Sequence, residues 1–198
     1  MKFNNAKFIK SCEHHNDFPK YSYPEFAFLG RSNTGKSSLI NMILGKKNLV
    51  KTGSRPGVTR LVNFFTTDDP FSFADLPGFG YADVPLSVKK KFMPMIKSYA
   101  QNRKNLKLVF LLIDIRRVPD GFESEMTGFL SNLKIPTAVV LTKCDKLSAN
   151  QRIESLKKIS LAMELTKDSF FLSSAHTGEG KKELRSVIIS SAAVTAES

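Results

Sequence analysis

Apolar residues in this chain fall in short blocks separated by charged or turn-forming stretches, and the blocks alternate between two periods. Residues 25–29 (Glu-Phe-Ala-Phe-Leu) are short, apolar and aromatic, and read as a buried strand. Residues 38–44 follow at helical spacing, with Gly45 as a stop. Residues 61–65 and 71–74 read as two strands. The Asp68-Asp69-Pro70 turn signal between them makes them an antiparallel hairpin. The spacing predicts a helix over 86–103, with Phe92, Ile96 and Tyr99 on one side and Pro94 kinking or dividing it. A strongly apolar strand is expected at 106–113 and a helix at 120–133, its core face made by Phe122, Met126, Phe129 and Leu130. The pattern ends with a strand at 136–141, a helix at 150–165 with Ile153, Leu156, Ile159 and Met163 inside, and a short strand at 169–172. A basic helix from Lys181 to about Ser190 closes it through Leu184, Val187 and Ile188.

The order strand, helix, hairpin, then alternating helix and strand predicts an α/β fold in three layers. We expect a mostly parallel six-stranded sheet with one antiparallel strand and helices on both faces. No repeat or second domain appears. Residues 1–24 lack clear periodicity and are expected to form an arm, packed onto the body through Phe3, Phe8 and Ile9. Residues 25–190 form the domain and 191–198 a frayed tail.

Composition adds one unusual number. The 198 residues are 41% hydrophobic and 24% charged, ordinary for a globular chain, but 30 Lys+Arg against 18 Asp+Glu give a net charge of +12. Such a surplus favours polyanionic partners such as nucleic acid. No apolar run approaches the ~20 residues of a membrane helix. No signal peptide is visible, so no membrane association and a cytoplasmic location are expected. Cys12 and Cys144 lack metal-site spacing and are read as free thiols. The adjacent His14 and His15, and His176, are read as surface or loop residues.

Between the first strand and helix stands Gly30-Arg31-Ser32-Asn33-Thr34-Gly35-Lys36-Ser37, which fits the phosphate-loop pattern G-x-x-x-x-G-K-[ST] at every fixed position. Glycines let backbone N–H groups turn inward to phosphate oxygens, Lys36 meets the outer phosphates, Ser37 can ligate Mg²⁺, and Ser38 opens the helix whose dipole faces the anion. Residues 46–60 are polar, with five basic residues, and suggest a mobile functional loop. The second hairpin strand runs into Asp75-Leu76-Pro77-Gly78. An Asp so placed holds Mg²⁺ through water, and the Gly78 N–H can meet the terminal phosphate. The strand at 136–141 ends in Thr142-Lys143-Cys144-Asp145. Asp145 can accept hydrogen bonds from guanine N1–H and its exocyclic amine, whereas adenine would leave the carboxylate unpaired. The Lys143 stem can cover the base, and Cys144 fills a variable position. The last strand ends in Ser173-Ser174-Ala175, where a backbone N–H can reach guanine O6.

These boxes, in this order, resemble those of a translation-factor-type GTPase. Narrower features resemble the EngB/YihA family of bacterial ribosome-assembly GTPases: Gly30-Arg31-Ser32-Asn33, Ser54-Arg55-Pro56-Gly57-Val58-Thr59 followed by Asn63-Phe64-Phe65, Asp75-Leu76-Pro77-Gly78-Phe79-Gly80-Tyr81-Ala82, and Asp114-Ile115-Arg116-Arg117 with Pro119. Thr34 and Phe79 depart from that family's usual Val and Tyr. The resemblance implies that Gly57, Val58 and Thr59 join the nucleotide site, with Thr59 as the first-switch threonine on Mg²⁺. It also implies GTP and GDP as ligands, a role in assembly of the large ribosomal subunit or its precursor through rRNA and ribosomal proteins, and a linked role in cell division and septation. A monomer is expected.

The expected reaction is hydrolysis of GTP by in-line attack of water, with Lys36, Thr59 and Gly78 as the catalytic groups and Ser37, Thr59 and Asp75 around the metal. Phe79 stands where a Ras-like enzyme has a water-orienting Gln. Turnover is therefore expected to be slow and to need a ribosomal partner or a monovalent cation. Asn33 resembles the K⁺-ligating Asn of potassium-activated GTPases; an Asn that only braces the loop is the other reading. Two other classes stay open, an ATP-using P-loop enzyme and a GTP-dependent signalling or nucleic-acid-binding switch unrelated to ribosomes.

Overall fold

The computed structural model of the chain describes residues 3, 5–50, 61–79 and 86–193, with side chains 86–91 outside the description. Gly57, Val58 and Thr59, and residues 194–198, lie outside the described residues.

A single sheet takes seven strands in the order β1-β3-β4-β2-β5-β6-β7. These are β1 (Lys7–Cys12), β2 (Glu25–Gly30), β3 (Val62–Thr66), β4 (Ser72–Asp75), β5 (Leu106–Asp114), β6 (Thr137–Thr142) and β7 (Phe170–Leu172). Strand β3 runs antiparallel to both β1 and β4, and every other pair is parallel. One antiparallel strand is thus as expected, but there are seven strands rather than six, because the N-terminal arm supplies β1.

The extra strand escapes pattern reading because it is an edge. Only Cys12 of its six residues is buried, so no alternation marks it. Phe3 is buried against Phe71 and Phe73. Phe8 and Ile9 are not: they remain 50% and 43% exposed, Phe8 touching Phe65 edge-on and Ile9 sitting where the register shifts.

Five helices cover the sheet: α1 (Lys36–Leu44), α2 (Leu86–Asn102), α3 (Gly121–Asn132), α4 (Ala149–Met163) and α5 (Lys181–Ala193). Alternate residues of the central strands feed opposite faces. Phe26, Phe28, Phe110 and Leu112 pack with Leu39, Ile40 and Ile43 of α1 and Leu184 and Ile188 of α5. Ala27, Leu29, Val109 and Leu111 pack with Ile96 and Tyr99 of α2, Met126 and Leu130 of α3, and Ile159 of α4. Helix α2 runs through Pro94 as one element rather than dividing there. Ile153, expected inside, is 61% exposed, because α4 turns only the side carrying Ile159 and Met163 to the sheet. Helix α5 continues through 191–193, which were expected to fray. No helix among the described residues is long and apolar enough to cross a membrane.

The ends of the sheet differ in chemistry. Loops after β2, β4, β5, β6 and β7 all leave the same edge, because those strands are parallel. At the other edge, fully buried Glu25 takes a two-pronged ion pair from Arg103 (Nε to Oε1 2.7 Å, Nη2 to Oε2 2.6 Å) and hydrogen bonds from Tyr99 Oη (2.6 Å) and Ser72 Oγ (2.5 Å). Arg103 also donates to the Pro19 carbonyl at 2.9 Å. This cluster joins the start of β2 to β4, the residue just past α2 and the arm. Removing one partner strands a buried charge. Glu25→Ala is therefore expected to cost about 3–5 kcal/mol in urea unfolding, while replacing both Glu25 and Arg103 by apolar residues costs less.

Candidate functional site

The loop between β2 and α1 is shaped by its two glycines. A Cβ at Gly30 would stand 2.9 Å from the Leu112 carbonyl oxygen and 3.0 Å from Thr34 Oγ1, so only glycine lets the strand end lie this close to β5. Gly35 caps α1 with φ 95°, a left-handed conformation that side chains rarely adopt. Thr34 is buried and spends its hydroxyl on the Arg31 carbonyl (2.7 Å), holding the loop closed on itself.

The second loop, after β4, lies against the first. Lys36 is ion-paired with Asp75, both side chains largely buried. The Ser32 N–H donates to the Phe79 carbonyl at 2.8 Å, and a Cβ at Gly78 would meet Ser32 Oγ at 3.0 Å. The Ser32 hydroxyl is buried and has no hydrogen-bond partner among the described residues. Leu76 is core. Phe79 is core too, 6% exposed and stacked closely on Phe122, with ring centroids 3.9 Å apart. Arg31 ties the loop to α3: it pairs with Asp120 and with buried Glu123 (3.0 Å), which also closes the capping box of that helix.

The third loop, after β6, reaches over the first. Thr142 Oγ1 donates to the Thr34 carbonyl at 2.6 Å. Lys143, at φ 60°, donates to the Asn33 carbonyl at 2.5 Å, and its stem passes 3.7 Å from where a Gly35 Cβ would be. Asp145 accepts from Ser174 Oγ at 2.7 Å, and this bond holds its carboxyl below the usual carboxylate range. A cavity of about 160 Å³ lies among these segments, lined by Gly35 of the first loop and Ser38 of the first turn of α1, Lys143, Asp145 and Lys146 of the third, and Ala175 of the loop after β7.

The structure thus brings together the sequence-expected residues 30–38, 75–78, 142–145 and 173–175. Not all turn a side chain to the cavity. Cys144 is fully buried in the core, where burial first and Glu179 second push its thiol up to about 11, so it contributes no contact there. Ser173 is buried and lines the cavity, while its hydroxyl donates to the Glu179 carbonyl at 3.2 Å. The Asn33 side chain is exposed; its backbone carbonyl, not its amide, does the bracing. Residues 46–50 of the expected mobile loop are held by Asn41, whose side chain bonds Val50 N (2.9 Å) and O (2.8 Å); residues 51–60 lie outside the described residues.

Sequence reasoning gave no site role to three groups. Lys146 and His176 line the cavity from loop positions without a motif. Asp114, at the end of β5, holds Lys143 at 3.0 Å and Arg116 at 2.7 Å. An acid at the carboxyl end of a central strand was the signal available for it. Burial pushes the Asp114 carboxyl up, but hydrogen bonds from the Arg116 side chain and backbone, with the Lys143 ammonium, bring it down to about 2.

A family model described as "50S ribosome-binding GTPase" matches residues 25–143. The "Probable GTP-binding protein EngB" of Citrifermentans bemidjiense is 46% identical over 181 residues, covering 91% of this chain and 85% of that protein. The protein of the same description from Halothermothrix orenii is 42% identical over 96% of both chains. A crystal structure of a probable GTP-binding protein EngB superposes with TM-score 0.70 at 29% identity, covering 85% of this chain and 98% of that one. Aquifex aeolicus Era bound to GDP·AlF₄⁻ superposes with TM-score 0.64 at 26% identity, covering 84% and 56%.

The depressed Asp114 pKa fixes the sign of a pH effect. A carboxyl near 2 in the folded chain and 3.8 as its ordinary value contributes stability that is fully present above about pH 4 and lost as pH falls through about 2. Asp114→Asn is expected to lower stability by about 2 kcal/mol at pH 7 and to flatten this acid limb, read by urea unfolding at a series of pH values.

Proposed function

The chain belongs to the EngB family of GTP-binding proteins, and we propose that it is a slow GTPase switch that acts in assembly of the large ribosomal subunit. The observation that carries the nucleotide reading is the cavity between the Gly35–Ser38 turn, Asp145 with its Ser174 hydrogen bond, and the Lys143 stem lying over the loop. A carboxylate held ionised at the end of that cavity suits the two donors of a guanine edge and leaves adenine unmatched.

Lys36 is placed for the β- and γ-phosphates, and the loop N–H groups and the α1 N-terminus add to the anion site. Ser37 and Asp75 are the oxygen donors of a Mg²⁺ site, with Thr59 as a further proposed ligand. Among the described residues no three His, Cys, Asp or Glu side chains stand together as a metal cage. That suits an ion completed by water and phosphate oxygens. When bound, Mg²⁺ would offset charge on the β- and γ-phosphate oxygens. Lys36 and Asp75, now paired with each other, would then turn to phosphate and metal respectively. Gly78 presents the backbone N–H for the terminal phosphate.

Phe79 supports slow turnover. Its ring is locked under Phe122 and has no polar atom to orient water. A partner or a cation must supply that group. The exposed Asn33 side chain is free to ligate K⁺, since the loop is braced by its backbone instead.

The ribosomal part of the proposal is supported by the description of the matching family model and by the net charge of +12, which suits an rRNA-rich surface. A cytoplasmic location goes with that partner. A linked role in cell division and septation rests on the family resemblance alone.

Nucleotide competition separates this reading from an ATP-using enzyme. GDP and GTP are expected to displace a labelled guanine nucleotide while ADP and ATP do not, and Asp145→Asn is expected to lose GDP affinity by at least about 100-fold. The chain is expected to co-sediment with large-subunit particles when GTP is present, less so as salt rises; no association at low salt would remove the ribosomal part. Turnover measured in K⁺ and in Na⁺ is expected to be faster in K⁺, the difference vanishing in Asn33→Ala; equal rates would remove the cation site.

A further inference from the structure

At the end of the sheet opposite the nucleotide loops, Tyr21 and Tyr23 stack with ring centroids 5.5 Å apart and planes inclined by 18°. The inner ring is fixed. Tyr21 Oη lies 3.1 Å from Ser72 Oγ, and the Arg103 guanidinium sits over its ring, 5.4 Å from the centroid. The outer ring is not covered: Tyr23 is 43% exposed. Its backbone is nonetheless held, because Asn105 Nδ2 donates to the Tyr23 carbonyl at 2.7 Å and the Asn105 carbonyl accepts from Glu25 N–H at 2.8 Å. A half-exposed aromatic ring on a rigid backbone, stacked on a second ring that is itself packed, has no role in the core.

The two segments that meet here carry exposed basic side chains and no exposed acid, whereas the hairpin turn nearby carries Asp68 and Asp69. The same hydrogen bonds, with the Arg103-to-Pro19 bond, draw residues 19–25 and 103–105 together. Both segments carry an exposed lysine, Lys20 and Lys104, and neither has an ion-pair partner among the described residues. Arg103 is taken up by buried Glu25, so it anchors the stack rather than adding free charge. On the neighbouring hairpin turn, Asp68 is engaged by Asn5. A flat aromatic face on segments that also hold unpaired ammonium groups suits an unpaired base that stacks while its backbone phosphates are neutralised. An apolar peptide would use the ring but leave both lysines without a counterpart.

We propose that Tyr23, backed by Tyr21 and carried on segments that also hold Lys20 and Lys104, is a stacking platform for a single-stranded RNA segment. The choice of RNA rests on the ribosomal reading above; the platform rests on the geometry. Its position has a consequence for the switch. The platform lies beyond the starts of β2 and β5, whose opposite ends carry the nucleotide loops, so RNA and nucleotide bind without competing for the same surface. The Glu25–Arg103 cluster lies under the platform and touches α2, the helix that follows the second nucleotide loop.

The test is binding of a fluorescein-labelled single-stranded RNA of about ten nucleotides, within the range one domain covers, followed by anisotropy on the full chain. Tyr23→Ala is expected to weaken binding about tenfold, and Tyr23→Phe to keep it within about twofold, because the ring face and not the hydroxyl meets the base. Lys20→Ala and Lys104→Ala are each expected to make the log–log salt slope shallower, by about 0.7 for each phosphate that is no longer neutralised. GDP affinity and the urea midpoint are expected to stay unchanged in all four variants.

Unaltered RNA affinity in Tyr23→Ala, or equal weakening in Tyr23→Phe, would overturn the platform. So would absence of RNA binding by the parent chain, or Tyr23-dependent capture of a proline-rich peptide in its place. A single-stranded DNA of the same sequence is expected to bind with similar affinity, because ring stacking and phosphate neutralisation do not read the 2′-OH; a Tyr23-independent difference between the two would overturn the platform as the binding determinant. Co-sedimentation separates this proposal from the reading on which it rests. If Tyr23→Ala and the parent pellet equally with large subunits and the oligonucleotide does not bind, the platform fails and the ribosomal role stands. If the parent does not pellet but the oligonucleotide binds through Tyr23, the ribosomal role fails and the platform stands.

Discussion

The parallel pairing of β2 with β5 at Gly30 is the constraint on which the site depends. Gly30 lies opposite Leu112, and a single added carbon would collide with that residue's carbonyl oxygen. Close pairing there puts the end of β2 level with the ends of β5 and β6. Thr142 can then reach the Thr34 carbonyl, and Lys143 the Asn33 carbonyl. The phosphate loop is therefore not an isolated turn. Its outer side is stitched to the segment after β6, and its inner side, through Ser32 and Phe79, to the segment that follows β4.

Charge within this frame is almost entirely internal. The chain carries a large positive surplus, yet the cations nearest the site each have an acid: Lys36 has Asp75, Lys143 has Asp114, and Arg31 has Asp120 and Glu123. At these positions the pairs act as positioning devices, since a partly buried pair contributes modest net stability but a well-defined geometry. Among the described residues, exposed lysines and Arg117 carry further positive charge outside the site. That division separates two tasks: oriented charges inside the site for a compact anionic ligand, and solvated charges outside it for an extended one.

The two ends of the sheet divide the chemistry in the same way. The carboxyl ends of the parallel strands carry loops with glycine turns and paired charges. The amino ends carry the Glu25 cluster, where a buried carboxylate gathers donors from β4, α2, the residue beyond α2 and the arm. Aromatic packing of Phe18, Phe64 and Tyr99 continues this cluster into the core beneath α2. This hydrogen-bonded and ion-paired cluster braces the amino ends of the central strands.

By itself the sequence determined the order and type of nearly every element and the four loop segments of the site. Those features are local: a period of two or 3.6, a glycine at a strand end, a lysine and hydroxyl opening a helix. It also determined the exclusion of a water-orienting side chain at Phe79, because residue chemistry alone decides that. Only the tertiary structure decided which residues do their work from the interior. Strand β1 has no alternation to read, because an edge strand with exposed residues on both sides is specified by its partner β3. Ile153 follows the helical period yet faces outward, because α4 turns only the side carrying Ile159 and Met163 to the sheet. Cys144 sits inside a nucleotide motif but points into the core, and Asp114 sits outside any motif but holds Lys143. In each case the deciding fact is a neighbour far away in sequence, and the composition of a local segment carries no trace of it.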